Sequence, residues 1–163
     1  MDPALRVRAC RRADLSAVAQ LAAKLVRLHH AFDSARFFLP AEVERGYEWW
    51  FGQEIDRPEV VLLVAERDAA IVGYAYGRIE ERDWNQLLDA CGALHDLWIE
   101  ESERRSGLAT ALASAALDAL RDKGAPRVVL HTAALNEAAQ QFFERLGFRR
   151  TMIEMTRESS PAT

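Results

Sequence analysis

The residues HDLWIEESERRSGLATALASAALDALRDK, from His95 to Lys123, constrain the fold of this chain more than any other segment. The first five, His95 to Ile99, form a short run of bulky and apolar side chains, which is typical of a buried strand. A charged link, Glu100 to Arg105, leads to Gly107, and apolar residues then recur at helical spacing. The pattern therefore predicts a strand that passes through a turn of small residues into a helix.

The start of that helix is suited to binding a phosphate group. A helix N-terminus carries backbone N–H groups without intrahelical partners, and the helix dipole places partial positive charge there. Gly107 and Ala109 allow a ligand to approach the backbone closely. Arg104 and Arg105 add two guanidinium charges, so we expect an anion site at this turn.

Two motifs, in this order, resemble those of one enzyme family. Residues 104–109 fit the Q/R-x-x-G-x-G/A pyrophosphate loop of the GNAT superfamily of acetyl-CoA-dependent N-acetyltransferases. Residues 136–148 are similar to the N-x-x-A-x-x-F-Y-x-x-x-G-F segment of the same family. A single short glycine pattern occurs by chance, but two motifs separated by a helix and a strand are specific. The resemblance covers residues 5–155 of an expected single domain, residues 1–163.

Periodicity along the rest of the chain predicts alternating strands and helices. The predicted strands are Leu5 to Cys10, Val60 to Ala65, Ile71 to Ile79, His95 to Ile99, Arg127 to Thr132 and Phe148 to Met155. The predicted helices begin after an N-cap at Asp14, run from Ala41 to Ile55, follow Gly107, and run from Asn136 to Leu146, and the tail from Glu158 to Thr163 is expected to fray. This order predicts an α/β layered fold. The family resemblance implies a mixed central sheet, mostly antiparallel, with a splayed parallel pair at its fourth and fifth strands and about four flanking helices.

Composition limits the class of protein. With 163 residues, half of them hydrophobic, the chain can bury a core without disulfides or a metal. Cys10 and Cys91 form no CxxC pattern and no Cys/His cluster, so we expect free thiols. The net charge of −4 argues against a nucleic-acid surface, and no apolar run is long enough to cross a membrane. The first ten residues lack the apolar core of a signal peptide, so we expect a cytoplasmic protein.

The resemblance implies acetyl-CoA as the co-substrate and identifies positions that contact it. These implied cofactor-binding residues are Leu97, Trp98, Ile99, Arg104, Arg105, Ser106, Gly107, Leu108, Ala109, Thr110, Asn136, Phe142 and Phe143. Two of them also have a simpler explanation, because Asn136 suits an N-cap and Thr110 suits the first turn of a helix. Phe143 stands where the family often has a tyrosine that protonates the departing thiolate, and phenylalanine has no proton to give.

His95 is the first candidate for the base that deprotonates the acceptor amine. Side chains alternate along a strand, so His95 is predicted to share a face with Leu97 and Ile99, and the resemblance places that face toward the active site. An unperturbed imidazole titrates near pH ~6.5, which suits a general base, and a structural histidine is the alternative. Asp96 is predicted to point to the opposite face. It would bind a cationic substrate only if the strand bends or the family geometry holds, and a structural salt bridge is the favoured alternative.

The sequence gives less information on the acceptor amine than on the fold or the acetyl donor. The resemblance implies that Phe37, Tyr76 and Trp84 contact the acceptor, with residues 41–55 as a pocket wall, although aromatic residues there also suit packing between two helices. Glu80 is expected to be an ordinary surface charge. The favoured prediction is direct transfer, in a ternary complex, to a primary amine of a small molecule, either a polyamine or an amino-acid-like compound. The alternatives are a protein N-terminal or lysine acetyltransferase and a non-catalytic acyl-CoA-binding regulatory module. The resemblance is also compatible with a homodimer.

Overall fold

The computed structural model describes residues 5–159. Its strands are β1 (Leu5–Ala9), β2 (Val60–Arg67), β3 (Ala70–Glu80), β4 (Cys91–Ile99) and β5 (Val128–Val129). Its helices are α1 (Leu15–Phe32), α2 (Val43–Glu54), α3 (Leu108–Asp122) and α4 (Glu137–Arg145), with turns of 3-10 helix at Arg12–Asp14 and Glu101–Glu103. The first four predicted strands and the four predicted helices are confirmed, with shifted ends. Residues 160–163 of the predicted tail lie outside the described residues.

The five strands form one sheet in the order β1-β2-β3-β4-β5. The neighbours from β1 to β4 are antiparallel, whereas β4 and β5 are parallel. The parallel pairing joins Gly92 to Val128 and Ala93 to Val129. From there to Ile99, no strand among residues 5–159 pairs with β4 on that side. The splay between the fourth and fifth strands that the resemblance implies is therefore present.

Helices cover both faces of the sheet, because α1, α2 and α3 each carry an apolar stripe. On the face that we call the α1–α2 side, the buried core includes Val18, Leu21, Phe51, Val64, Tyr74 and Tyr76. On the opposite face, the α3 side, the core includes Val61, Ala75, Leu94, Leu108, Leu112 and Leu120. A fully buried leucine contributes about 1.5–3 kcal/mol to stability. The three buried leucines of α3, Leu108, Leu112 and Leu120, therefore anchor that helix to the sheet.

Tyr47, Trp50 and Phe51 of α2 belong to the α1–α2 core, whereas Trp49 of the same helix is 68% exposed. The ring centroids of Trp50 and Tyr76 lie 5.0 Å apart, and those of Tyr47 and Phe51 lie 5.4 Å apart. The packing explanation for this aromatic segment is therefore confirmed.

The last predicted strand is wrong. Phe148 to Met155 has no regular secondary structure, and Met152, Ile153 and Met155 are 74%, 85% and 90% exposed. The predicted strand Arg127 to Thr132 is likewise reduced to Val128–Val129. Alternating apolar residues specify a face, but a strand also needs a neighbour whose backbone groups it can bond. After Val129 the chain moves away from β4 at the splay, so β5 ends at that residue.

Asp14 precedes α1 as predicted, but its carboxylate does not cap that helix. Its Oδ2 accepts a hydrogen bond from the backbone N–H of Arg11 at 2.8 Å, and its two oxygens accept from Arg8 at 2.6 and 3.0 Å. Arg8 also donates to Glu66 of β2. The hydrogen bond from Arg8 lowers the pKa of Asp14 below its ordinary value. This cluster ties β1 and β2 to the start of α1.

Candidate active site

A β-bulge in β4 sets the direction of the side chains beside the splay. Tyr76 of β3 is paired with Asp96, whereas the next residue, Gly77, is paired with Leu94, so His95 is the extra residue. A Cβ atom on Gly77 would lie 2.7 Å from the carbonyl oxygen of Ala93. Only glycine permits this close approach of the two backbones at the bulge.

The bulge overturns the predicted face of His95. Leu97 and Ile99 belong to the α3-side core, whereas the ring of His95 is stacked on Tyr76, with centroids 5.5 Å apart. His95 therefore does not share their face, and Asp96 lies on the same side as His95 because it bonds to Tyr74 of the α1–α2 core. The bend in the strand that would allow Asp96 to meet a cationic substrate is present.

The splay forms a cleft between β4, α1 and the segment around α4. The cleft is lined by Leu25, His29, Leu94, His95, Asp96, Leu97, Leu130, His131, Thr132, Asn136, Ala139 and Phe143. The structure therefore brings together five residues that the sequence singled out: His95, Asp96, Leu97, Asn136 and Phe143. Leu25 and His29 were not among the predicted site residues, although their spacing of four residues indicates that they share one face of α1.

Asp96 places a partly buried carboxylate in this cleft. Its Oδ2 accepts a hydrogen bond from the hydroxyl of Tyr74 at 2.9 Å. Burial raises the pKa of Asp96, and the Tyr74 hydrogen bond and the nearby charges of His95 and His29 act in the opposite direction. Burial, with the charge of Asp96, also raises the pKa of Tyr74. A carboxylate in such surroundings gains more from a bound cation than one in water does.

His95 is oriented by two contacts. Its Nε2 lies 2.9 Å from Oε1 of Glu80, and its ring rests on Tyr76, whose hydroxyl donates to Glu54 at 3.0 Å. Glu54 is only 3% exposed and also accepts from Nη1 of Arg78 at 3.0 Å. Glu80 is 39% exposed, as expected of a surface charge, and its carboxylate also holds the imidazole. Nδ1 is then the ring nitrogen that Glu80 does not contact.

The turn before α3 has the conformation that an anion site needs. Arg105 and Gly107 have φ of 66° and 83°, and α3 begins at the next residue, Leu108. The N–H of Ala111 donates to the carbonyl of Gly107 at 3.0 Å, so the N–H groups before Ala111 have no carbonyl partner within the helix. Leu108 donates to Oγ of Ser106 at 3.3 Å. A Cβ atom on Gly107 would meet nothing within 4 Å, so its conformation, not the available space, favours glycine.

The two arginines of this turn differ in their contacts. The guanidinium of Arg104 lies 5.5 Å from the ring centroid of Trp98 and 3.3 Å from Glu101, whereas Arg105 is exposed. Together with the α3 N-terminus, they form a donor set that fits a pyrophosphate group.

The other candidate residues occupy several different places. Asn136 caps α4 by accepting from the N–H of Ala139 at 3.2 Å, and it lines the cleft as well. Thr110 is exposed in the first turn of α3. The remaining candidates do not line the cleft: Trp98 packs against the α1–α2 core, Ile99 and Leu108 are buried, Phe142 packs on Phe143, Phe37 contacts His29, Tyr76 lies beneath His95, and Trp84 is exposed beside Arg82.

Two kinds of feature are absent from residues 5–159. In that part of the chain, no three His, Cys, Asp or Glu side chains are grouped so that they could hold a metal ion, and no helix has the length and apolar character needed to cross a bilayer. Cys10 and Cys91 are buried free thiols. Burial raises the pKa of Cys10 to about 12, which makes it a poor nucleophile.

Comparison with known proteins agrees with this geometry. Residues 23–148 match the acetyltransferase (GNAT) family, and the chain belongs to that family. A solved structure of the aminoglycoside N-acetyltransferase AAC(6')-Iy, in complex with CoA, has the same fold. It matches with a TM-score of 0.77 over 96% of this chain and 95% of its own, at 18% sequence identity.

Sequence relatives point to two kinds of acetyltransferase. A mycothiol acetyltransferase from Thermomonospora curvata is 29% identical over 100 residues, which are 61% of this chain and 31% of the relative. An N-alpha-acetyltransferase 30 from Schizosaccharomyces pombe is 46% identical over 59 residues, which are 36% of this chain and 39% of the relative. The matched part therefore spans less than half the length of either relative.

Proposed function

We propose that this protein is an acetyl-CoA-dependent N-acetyltransferase that acts on a primary amine of a small molecule, within a ternary complex. The observation that carries the proposal is the open side of β4. There the imidazole of His95 and the partly buried carboxylate of Asp96 line a cleft. The chain then passes through a short link to the N-terminus of α3, which would bind an anion.

The residues present fit acetyl-CoA. The α3 N-terminus, Gly107 and the two neighbouring arginines would hold its pyrophosphate. Beyond Ala93, the edge of β4 has no ladder with β5, so its outward backbone groups would bond the pantetheine arm. Acetyl-CoA supplies an acetyl group activated as a thioester, and the chain supplies the positioning and the proton transfer.

The acceptor would be handled by His95 and Asp96. Asp96 attracts the ammonium form of the amine into the cleft, where His95 accepts a proton and leaves the nitrogen lone pair free to attack. Glu80 holds the opposite ring nitrogen and stabilises the imidazolium. A positioned base typically increases the rate about 10²–10⁴-fold. A single hydrogen-bond donor to the oxyanion of the tetrahedral intermediate typically contributes about 10²–10³-fold. Because Phe143 has no proton to donate, the departing thiolate takes its proton from water.

The acceptor that we favour is a small cationic amine of the polyamine or amino-acid type. The partly buried carboxylate of Asp96, which lines the cleft, suits an ammonium group through its charge. The second candidate is the amino group of a protein N-terminus. The local identity of 46% to an N-alpha-acetyltransferase 30 supports that candidate.

The test is release of the CoA thiol from acetyl-CoA in the presence of polyamines, amino acids, aminoglycosides and peptides. We expect turnover with one acceptor class, loss of turnover in Gly107→Glu, and a reduced rate near neutral pH in His95→Ala. Tight acetyl-CoA binding without turnover across the panel would overturn the enzyme proposal in favour of a non-catalytic acyl-CoA-binding module. Full activity of His95→Ala would remove the proposed base but not the enzyme.

A further inference from the structure

The link between β4 and α3 places three glutamates next to the proposed pyrophosphate site, and each has a basic partner. Glu100 is paired with Lys24 of α1, and Glu101 lies 3.3 Å from Nη1 of Arg104. Oε2 of Glu103 accepts from Nη2 and Nε of Arg67, at 2.9 and 3.0 Å. A link with this much negative charge would repel a phosphate unless its carboxylates were neutralised.

The pair between Glu103 and Arg67 differs from the other two. Its side chains are only 13% and 25% exposed, so water screens this pair less than the others. It also connects distant parts of the chain, because Arg67 ends β2 whereas Glu103 lies in the link that leads to α3. The other two partners come from α1 and from the link itself.

Glu103 is also the residue to which the rest of the turn is bonded. Its carbonyl oxygen accepts from Oγ of Ser106 at 2.6 Å, and the same Oγ accepts from the N–H of Leu108 at 3.3 Å. Its own N–H donates to the carbonyl of Glu100 at 3.0 Å. Glu103 therefore connects Arg67 to the first residue of α3, because its side chain bonds Arg67 and its carbonyl bonds Ser106, which in turn bonds Leu108.

We propose that Arg67 and Glu103 are positioning residues for acetyl-CoA, which fasten the phosphate-binding turn to the end of β2 before the ligand arrives. This inference rests on the proposed function. Arg67 does not line the cleft, so it acts through Glu103 and not through contact with the acetyl group or the amine. Without the pair, the turn would have to be ordered during binding, and this loss of preorganisation weakens affinity.

The effect should depend on which part of acetyl-CoA is present. S-acetylpantetheine carries the same thioester and arm but lacks the pyrophosphate. A pair that acts through the phosphate-binding turn should alter the use of acetyl-CoA and leave the use of S-acetylpantetheine unchanged. A general loosening of the fold would affect both donors alike.

The experiment measures CoA affinity by isothermal titration and steady-state kinetics with both donors, for Arg67→Met, Glu103→Gln and the double variant. We expect Arg67→Met to weaken CoA binding and raise KM for acetyl-CoA about tenfold, with kcat and the acceptor KM unchanged. Glu103→Gln should have a smaller effect because its amide oxygen still accepts a hydrogen bond. The double variant should bind CoA better than Arg67→Met, since it leaves no unpaired carboxylate beside the phosphate.

Arg6→Met is the matched control, because Arg6 also pairs with a glutamate, Glu66, near the same end of the sheet but has no bond to the turn. Equal CoA affinity in Arg67→Met and Arg6→Met would overturn the inference, and so would an equal loss with both donors. Failure of the proposed function looks different: the wild-type protein would bind no CoA, or would bind it and acetylate nothing. Titration with CoA tests the pair in the second case, because that measurement needs no turnover.

Discussion

The sheet has a closed half and an open half. From β1 to β4, each strand is paired with its neighbour along most of its length, whereas β4 and β5 share two residue pairs. In the closed half, the charged residues pair with one another, as Arg8 does with Asp14 and Glu66. In the open half, Asp96 has a tyrosine hydroxyl as its partner, and within residues 5–159 no lysine or arginine forms an ion pair with it.

The two halves of the sheet contribute differently to stability and to ligand binding. Backbone groups satisfied by a neighbouring strand hold the fold but are not available to a ligand. The edge of β4 past the splay, the carboxylate of Asp96 and the start of α3 have unused bonding capacity, and all three lie on the open side. Changes in the open half should therefore alter binding and turnover. Changes in the closed half should alter unfolding, except at Arg67, whose pair with Glu103 reaches the turn before α3.

Gly107→Glu should have the largest effect. It forces a side chain into a left-handed conformation, at φ 83°, and places a negative charge where the phosphate should bind. We expect acetyl-CoA affinity to fall by about 100-fold or more, which corresponds to roughly 3 kcal/mol. Gly124→Glu is the matched control: Gly124 has φ 93°, also has open space around it, and follows the other end of α3. Titration with acetyl-CoA compares the two, and an equal loss in both would contradict the placement of the phosphate.

Asp96→Asn should separate activity from stability. We expect kcat/KM for the amine to fall about 10–100-fold, because a charge-assisted hydrogen bond is lost. The raised pKa of Asp96 means that the folded state holds its proton more tightly than the unfolded state does, so the ionised group destabilises the fold at pH 7. The variant should therefore unfold about 2–4 °C higher at pH 7. The gain should shrink as the pH falls and vanish below about pH 3, where the proton is bound in both the folded and the unfolded state.

Thermal unfolding at several pH values checks the stability part of this prediction, and amine kinetics check the rest. If the variant lost stability at pH 7 and kept full activity, Asp96 would be a structural salt-bridge partner. That role is the alternative predicted from the sequence.

Arg8→Met should act on the closed half alone. The pKa of Asp14 is lowered chiefly by its hydrogen bond from Arg8. This stabilisation is therefore present above the ordinary carboxyl pKa and is lost as the pH falls from that value through the lowered pKa of the folded state. We expect the melting temperature at pH 7 to drop by about 3–5 °C, with a smaller further loss toward pH 3 than in the wild type. KM for acetyl-CoA should not change.

The control for that variant is Arg12→Met, whose pair with Asp56 is 62% and 74% exposed and should contribute little. Melting curves of the two variants at pH 7 and pH 3 make the comparison. Identical losses would mean that the Arg8 cluster is no more than surface charge.

Phe143→Tyr should have the smallest effect. The ring lines the cleft and packs on Phe142 and Phe148, so a hydroxyl can be added at the open edge with little rearrangement. We expect acetyl-CoA binding to be kept and kcat to stay within about threefold, since a thiolate leaves without much help from an acid. Complete loss of CoA binding would argue against the position of Phe143 in the cleft.

The closed half could be predicted from sequence because its signals are local. Alternation marked β1 and β3, an aliphatic run marked β2, and helical spacing marked α1 to α4. The turn before α3 could also be predicted, because the glycine and the apolar spacing that mark a helix start lie close together in the sequence. Asn136 was predicted both as a cap and as a cofactor residue, and the structure gives it the cap while placing it in the cleft.

The open half was harder because its geometry depends on distant pairs. The bulge at His95 follows from the register between β3 and β4, which no run of residues in β4 reveals. The contact between His95 and Glu80 follows from the same pairing. The segment Phe148 to Met155 has the alternation of a strand but no partner edge in the described chain. In each case, the sequence does not reveal which strand lies beside the segment or how the residues of the two strands are paired.

The central claim is that the splay between β4 and β5 is where the acetyl donor binds. Hydrogen–deuterium exchange with and without saturating acetyl-CoA tests it most directly. We predict slower exchange in peptides that cover residues 94–112 and 128–143, on both sides of the cleft, and unchanged exchange in peptides from β1 and β2. Protection confined to the closed half, or none in either cleft wall at saturation, would contradict the claim.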